Sequence, residues 1–267
     1  MKTIKIPLWE AGKTPFYREE YGQPEPSLEL FLPETEGKKP CMLVFPGGGY
    51  SVLCDSYEGA EICEALCDAG FAAGVVRYRV NPYLHPVMET DARRAVRTVR
   101  YHAAAWGIDP DKIGVMGFSA GGHLTCMTAL RFDAEDPVAD EIDKISARPD
   151  AAAPCYAVTM LVGDSVTPTM PEHTVGEPAE PALCAALSAP LIARKDAPPF
   201  FIWHTATDQL VPVENALSLA ASLIKQGVPT ELHVFPFGQH GLGLAKETPR
   251  ADEWFPLLVR WLQTLWT

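Results

Sequence analysis

A serine flanked by glycines is the first feature of this sequence that could carry chemistry. Gly117-Phe118-Ser119-Ala120-Gly121 matches the pattern G-x-S-x-G. A predicted strand, Lys112–Met116, precedes it, and a predicted helix follows through Leu130. A sharp strand-to-helix turn of this kind exposes a serine hydroxyl, and small neighbours allow the backbone segments to approach. A nucleotide-binding turn is the competing interpretation, but the segment lacks both the G-x-G-x-x-G spacing and a P-loop lysine. We therefore predict that Ser119 is a nucleophile.

A serine hydroxyl needs a base within hydrogen-bond reach to become nucleophilic at neutral pH. His240 lies in the glycine-flanked segment Gly238-Gln239-His240-Gly241, after the last predicted strand, where a loop can bend back over the sheet. It also fits the chain order serine, acid, histidine. The other histidines precede the serine, lie within predicted helices or strands, or lie in an irregular segment: His85, His102, His123, His173, His204 and His233. His240 is the predicted base.

The acid that orients the base is expected on the loop after the preceding strand. Asp208 follows the predicted strand Pro199–His204 at that distance. A charge at the N-terminus of the next helix is the alternative role, but Glu214 fits that role better. Asp208 is predicted to fix the imidazole tautomer and to stabilise the imidazolium without taking the proton itself.

Acyl transfer also needs N–H donors for the negative charge that develops on the carbonyl oxygen. The residue after the nucleophile, Ala120, supplies one such N–H group in this type of site. Pro46-Gly47-Gly48-Gly49-Tyr50 directly follows a predicted buried strand, and successive glycines let the backbone turn its N–H groups toward one point. We predict an oxyanion hole formed by Gly48, Gly49 and Ala120.

Taken together, these segments resemble α/β-hydrolase esterases. The similarity is strongest to small microbial acetyl xylan and feruloyl esterase-like hydrolases, near the hormone-sensitive-lipase-like esterases. It covers about residues 40–266 and includes Val75–Val80, Asp91–Ala95 and Gly107–Pro110. Those lipases carry His-Gly-Gly-Gly, whereas this chain has Pro46 in place of the histidine. That difference favours the carbohydrate-esterase-like group.

The elements that must position these residues alternate between strands and helices, which predicts a mainly parallel sheet with helices on both faces. With the resemblance, the expectation is an α/β class protein: one α/β-hydrolase domain over residues 1–267. Residues 1–40 form an N-terminal extension with an edge strand at Ser27–Leu32, and residues 161–190 form a small insert near the site. The basic residues of the second predicted helix are expected to form a solvated face. Strands are predicted at Cys41–Phe45, Phe71–Tyr78, Lys112–Met116, Ala151–Met160, Pro199–His204 and Thr230–Phe235. Helices are predicted at 55–69, Glu89–Trp106, 120–130, Glu214–Gln226 and Trp254–Trp266. The basic residues of the second predicted helix are Arg93, Arg94, Arg97 and Arg100.

Composition restricts the classes of partner. The chain has 267 residues, a net charge of −12 and 47% hydrophobic residues. Such an acidic surface argues against nucleic acid and anionic membranes, and no apolar run is long enough to span a bilayer. Seven scattered cysteines without a CxxC pair argue against a disulfide framework and a structural zinc site. The N-terminus lacks an apolar signal region, so we expect a reduced, cytoplasmic protein with mostly buried thiols.

The resemblance and the residues together predict a serine carboxylesterase that removes short acyl groups, with acetylated xylo-oligosaccharides as the first expectation for the substrate. Neither a cofactor nor a metal is expected. Tyr50, Tyr83 and His85 are predicted to contact the substrate, together with residues 161–190. An amidase or peptidase with the same triad, such as a formamidase-like enzyme, is the main alternative. A catalytically silent hydrolase fold and a lipase are weaker ones, and the oligomeric state stays open.

Overall fold

Eight strands form one sheet in the computed structural model, which describes residues 1–137 and 140–267. The spatial order of the strands is β1-β2-β4-β3-β5-β6-β7-β8. Strands β1 and β2 run antiparallel to their neighbours, and β3 to β8 run parallel to one another. The strands are β1 (Lys2–Pro7), β2 (Ser27–Leu32), β3 (Lys39–Phe45), β4 (Ala72–Arg77), β5 (Ile108–Phe118), β6 (Ala151–Cys155), β7 (Phe200–Thr205) and β8 (Thr230–Phe235).

Helices cover both faces of this sheet. They are α1 (Glu61–Asp68), α2 (Val87–Trp106), α3 (Ala120–Leu130), α4 (Met170–Val175), α5 (Pro181–Ala186), α6 (Glu214–Lys225) and α7 (Trp254–Leu265). One buried cluster joins the sheet to α2, α3 and α6, and a second joins it to α1 and α7. Alternate residues of β3 contribute to the two clusters, Leu43 to the first and Val44 to the second. A strand that is apolar on both sides fits this buried central position.

The predicted α/β-hydrolase architecture, with a mainly parallel sheet and helices on both faces, is confirmed. Some details differ from the prediction: β5 begins at Ile108, and the helix predicted at 55–69 is a π-helical turn followed by α1. Ser27–Leu32 is not the edge strand, because β1 pairs with its outer side. The strand predicted at Ala151–Met160 ends at Cys155, and the insert contains the short helices α4 and α5.

The expectation of a solvated basic face on α2 is wrong. Arg93 and Arg94 are only 1% and 2% exposed, because the segments that follow α3 and precede β2 cover this side of the helix. Arg93 pairs with Asp136 at 2.5 Å, and Arg94 pairs with Asp140 at 2.7 Å. Arg97 also pairs with Asp136, and half-buried Arg100 pairs with Asp150. These ion pairs hold the loops that contain the aspartates against α2.

The prediction of mostly buried thiols is confirmed. All seven are free, and six of them are buried, Cys54 being the half-buried one. In the described part of the chain, no helix combines the length and the hydropathy that crossing a bilayer requires.

Candidate active site

Ser119, His240 and Asp208 lie in hydrogen-bond contact at the carboxyl edge of the sheet. Ser119 Oγ is 2.8 Å from His240 Nε2, and His240 Nδ1 is 2.7 Å from Asp208 Oδ2. Each residue follows the end of a parallel strand: Ser119 follows β5, Asp208 follows β7 and His240 follows β8. Loops at this edge of an open α/β sheet converge on one crevice. The structure thus brings together the three residues that the sequence singled out.

A strained turn between β5 and α3 projects the serine. Ser119 has a φ of 55°, in the left-handed region that is costly for a residue with a side chain. A Cβ atom at Gly121 would collide with the Phe45 carbonyl, and one at Gly117 would collide with the Gly121 carbonyl. The two glycines are therefore required by the close approach of α3 to the end of β3.

The environment of Asp208 keeps its carboxylate ionised. Oδ1 accepts hydrogen bonds from the backbone N–H groups of Leu210 and Val211, at 2.9 and 3.0 Å. Burial alone would raise the pKa of Asp208, but contacts with His204 and His240 and the Val211 N–H bond outweigh burial and hold the pKa well below its usual range. The ionised carboxylate of Asp208 accepts a hydrogen bond from the Nδ1–H group of His240. The unprotonated Nε2 atom then faces the serine.

The glycine-rich loop after β3 lies beside this serine. Gly48, Gly49 and Tyr50 have φ values of 126°, 62° and 58°, so three successive residues adopt conformations that favour glycine. Among the described residues, none accepts a hydrogen bond from the backbone N–H of Gly48, Gly49 or Ala120. Gly48 and Gly49 line the same cavity as Ser119. These N–H groups are available to a ligand at that point.

Tyr50 is buried, which corrects its predicted contact with substrate. It is 1% exposed, and its hydroxyl lies 2.8 Å from Nδ1 of His123 on α3. Nε2 of His123 in turn lies 2.8 Å from the carbonyl oxygen of Leu187. The left-handed backbone of Tyr50 turns its side chain into the core. Its contact ties the glycine loop to the helix that begins after Ser119.

Tyr83 and His85 are also placed outside the cavity beside Ser119. Both line a separate surface cavity next to Phe16. The Tyr83 hydroxyl lies 2.9 Å from the Arg18 backbone nitrogen, which donates to it, and His85 Nδ1 contacts Glu89 at 2.7 Å. Their side chains are engaged in holding the N-terminal segment and α2. The geometry gives no support to a role in substrate contact.

The cavity beside Ser119 has a volume of about 250 Å³. Residues 167–170 of the insert form one wall of the cavity. Met170 is 3% exposed, and Val158, after β6, is 1% exposed. Leu210, which precedes α6, is 53% exposed and lies at the rim. The space is small and largely apolar, which suits a short acyl chain.

Glu58 is a residue of this site that the sequence reasoning missed. It is 2% exposed and lines the cavity with Ser119 and His240. A π-helical turn over Ser56–Ala60, between the glycine loop and α1, carries it. Such turns are rare and frequent at functional sites. No motif marks this glutamate, and its partner Tyr156 is distant in the sequence.

The family model BD-FAE matches residues 28–223 of the chain. The chain belongs to the BD-FAE family. Its match covers the glycine loop, the serine turn and Asp208, while His240 lies beyond it. The resemblance to α/β-hydrolase esterases that the motifs indicated is thereby confirmed.

The chain is also similar to individual proteins. The chain is 40% identical to the structure of an acetyl ester-xyloside bifunctional hydrolase from Caldicellulosiruptor lactoaceticus, with a TM-score of 0.93, covering 98% of this chain and 96% of that one. It is 33% identical to endo-1,4-beta-xylanase B of Butyrivibrio fibrisolvens over 92% of the chain. It is 29% identical to an acetylxylan esterase of Xylanibacter ruminicola over 89% of the chain.

The curated relatives are longer than this protein. The chain spans 39% of the xylanase and 48% of the acetylxylan esterase. The chain therefore corresponds to only part of each of these longer proteins.

Proposed function

We propose that this protein is a serine carboxylesterase that removes short acyl groups, chiefly acetyl, from acetylated xylo-oligosaccharides. The observation that carries the proposal is the continuous hydrogen-bonded series Ser119–His240–Asp208, with contacts of 2.8 and 2.7 Å. This series opens into a small cavity next to unpaired backbone N–H groups. A nucleophile, a base and donors for an oxyanion are the parts that acyl transfer requires.

The reaction follows from these positions. Ser119 Oγ attacks the ester carbonyl carbon while His240 Nε2 takes the serine proton. The N–H groups of Gly48, Gly49 and Ala120 stabilise the oxyanion of the tetrahedral intermediate. His240 then gives its proton to the departing sugar oxygen, the C–O bond breaks, and an acyl-enzyme remains.

Water completes the cycle. His240 takes a proton from water, the hydroxide attacks the acyl carbon, and the proton returns to Ser119 Oγ as the carboxylic acid leaves. Asp208 stays ionised throughout and balances the positive charge of the imidazolium.

Two observations support the choice of substrate. The cavity of about 250 Å³ is smaller than typical ligand sites, which run from roughly 300 to 1,000 Å³, and its wall of Val158 and Met170 limits the acyl chain. The alcohol part is proposed from similarity to proteins named acetylxylan esterase and acetyl ester-xyloside hydrolase.

We also propose that the chain acts as one hydrolase domain. The first strand, Lys2–Pro7, and the last, Thr230–Phe235, belong to the same sheet. The insert over residues 161–190 supplies a wall of the cavity, so it is part of the site.

The test is acetate release from acetylated xylo-oligosaccharides, with p-nitrophenyl acetate, p-nitrophenyl butyrate and p-nitroacetanilide measured beside them. The proposal expects a kcat/KM on the sugar ester at least equal to that on p-nitrophenyl acetate, and a far lower value on the anilide. Ser119→Ala is the matched control, which should abolish both acetate release and labelling by a fluorophosphonate. Activity on the small esters alone would remove the sugar from the proposal, and faster anilide cleavage would make the protein an amidase.

A further inference from the structure

Glu58 is the buried carboxylate of the cavity that the proposed reaction does not use. Carboxylates are rarely this buried unless they are paired with a cation. Among residues 1–137 and 140–267, no Lys, Arg or His forms an ion pair with Glu58. Its two oxygens are instead occupied by a backbone N–H and a phenol. A buried charge held this way calls for a functional explanation.

The first oxygen holds the start of the glycine loop. Oε2 accepts a hydrogen bond from the backbone N–H of Gly47 at 2.9 Å. The carbonyl oxygen of the same glycine accepts from the Cys54 N–H at 3.0 Å. A Cβ atom at Gly47 would lie 2.5 Å from Oε2, so this position must be glycine for the carboxylate to approach. The peptide next to the proposed oxyanion donors is therefore fixed by Glu58.

The second oxygen reaches the loop that carries His240. Oε1 accepts from the hydroxyl of Tyr156 at 2.7 Å. The same hydroxyl oxygen accepts from the Gly243 N–H at 3.0 Å, so the hydroxyl connects Glu58 to the backbone of the His240 loop. The ring of Tyr156 stands edge-on to the His240 imidazole, with centroids 5.1 Å apart. Tyr156 therefore touches both the base and the backbone three residues after it.

The contacts suit the ionised form of Glu58. The Gly47 N–H donates to Oε2, and the Tyr156 hydroxyl donates to Oε1. Both carboxylate oxygens thus act as acceptors, as an ionised group does. Hydrogen bonds to a charged acceptor are stronger than neutral ones, and they act here inside a low-dielectric site.

We propose that Glu58 is a positioning residue for the esterase reaction, whose carboxylate ties the oxyanion loop at Gly47 to the His240 loop through Tyr156. The inference rests on the proposed function. It adds that Glu58, through its bonds to Gly47 and Tyr156, helps to set the distance between the oxyanion donors and the base. A displacement of about 1 Å in such an arrangement costs roughly 100-fold in rate.

The experiment compares Glu58→Gln, Tyr156→Phe and the double variant with the wild type on p-nitrophenyl acetate. Glu58→Gln keeps the size of the side chain, but its amide NH2 group faces one of the two donors. We expect kcat to fall about tenfold to 100-fold while KM changes less than about threefold, because the loss falls on the transition state. A boronic acid that mimics the tetrahedral adduct should lose affinity by the same factor as kcat/KM.

The double variant tests the bridge itself. If Tyr156 acts through Glu58, the double variant should lose little more than the worse single variant. Losses that multiply would mean that the two residues act separately, and they would overturn the inference. Glu89→Gln is the matched control, since Glu89 is 4% exposed and lies outside the cavity. It should leave kcat unchanged.

Other outcomes also decide the question. Equal kcat in the wild type and Glu58→Gln overturns the inference and leaves the esterase proposal standing. A wild type without ester hydrolysis overturns both. If Glu58→Gln does not fold, Tyr156→Phe decides alone, because it keeps the bond from Gly47 to Glu58 and removes only the connection to the His240 loop. An unchanged kcat in that variant overturns the inference.

Discussion

The Tyr50 hydroxyl donates a hydrogen bond to Nδ1 of His123 across 2.8 Å. The direction is set by the other ring nitrogen, because Nε2 must carry a proton to donate to the Leu187 carbonyl oxygen. Burial lowers the pKa of His123, and the bond to Leu187 opposes that effect only in part. A neutral imidazole therefore joins the glycine loop, the serine helix and the end of the insert.

Tyr50→Phe should slow the esterase without changing how substrate binds. The variant leaves Nδ1 of His123 buried without a partner, which costs about 1–3 kcal/mol of stability. It also frees the left-handed backbone of residue 50, so the neighbouring oxyanion donors lose their fixed position. We expect kcat to fall about threefold to 30-fold with KM nearly constant. Tyr17→Phe, which removes a hydroxyl bonded to Gln23 outside the cavity, should change neither value. A rise in KM alone would instead support the substrate contact first predicted for Tyr50.

The sequence predicted the parts of the site whose signals are local. Ser119 and His240 were recognisable because each lies among glycines directly after a predicted strand. The roles of Glu58, His123 and Tyr156 were not recognisable, since their partners are 64 or more residues away, apart from the Glu58 contact with Gly47.

Contacts between residues distant in the sequence also explain why the predicted solvated face of α2 was wrong. Arg93 and Arg94 occur at a spacing typical of a solvated face, but aspartates more than 40 residues later cover them. Periodicity describes one helix at a time and does not show which long loop will fold over it.

The glycines of the oxyanion loop should differ in their tolerance of a methyl group. A Cβ atom at Gly48 would collide with the Val52 carbonyl, whereas nothing lies within 4 Å of one at Gly49. Both have positive φ, so each alanine variant bears a strain of about 1–2 kcal/mol, but only Gly48→Ala must also move the loop. We expect kcat to fall at least 100-fold in Gly48→Ala and about tenfold or less in Gly49→Ala. Equal losses in steady-state kinetics would contradict a steric origin.

Asp208→Asn should lower both activity and stability, the latter in a pH-dependent way. Loss of the orienting carboxylate is expected to reduce kcat by roughly 10³–10⁴-fold. The pKa of Asp208 is lower in the fold than in the unfolded chain, so its ionised form stabilises the protein above an unfolded pKa of about 3.9. That contribution is lost as the pH falls toward the folded value. Thermal melts should show a Tm deficit of the variant at pH 7 that narrows below about pH 4. A constant deficit would mean that charge is not the cause.

Glu58→Gln should show the opposite pH dependence of stability. Burial raises the pKa of Glu58 above its usual value, despite the bonds from Tyr156 and Gly47. Ionised Glu58 therefore costs folding free energy at neutral pH, and the cost disappears as the pH falls below the unfolded pKa of about 4.3. The Tm of Glu58→Gln minus the Tm of the wild type should be more positive at pH 7 than at pH 4.5. A carboxylate that merely stabilised the fold would give the reverse order, so these melts complement the kinetic test.

Met170→Ala should widen the acyl preference. Met170 comes from the insert, is 3% exposed and lines the cavity with Val158. Truncation opens space for the two further methylene groups of a butyryl chain, and one methylene in an apolar pocket is worth about 1–3 kcal/mol of discrimination. The ratio of kcat/KM for p-nitrophenyl butyrate to that for the acetate should rise about tenfold or more. Met88→Ala is the matched control, because Met88 is also 3% exposed but belongs to α2 and packs in the core. Both variants should lose stability, by about 2–5 kcal/mol, and only Met170→Ala should shift the ratio. An unchanged ratio would place the acyl chain elsewhere in the cavity.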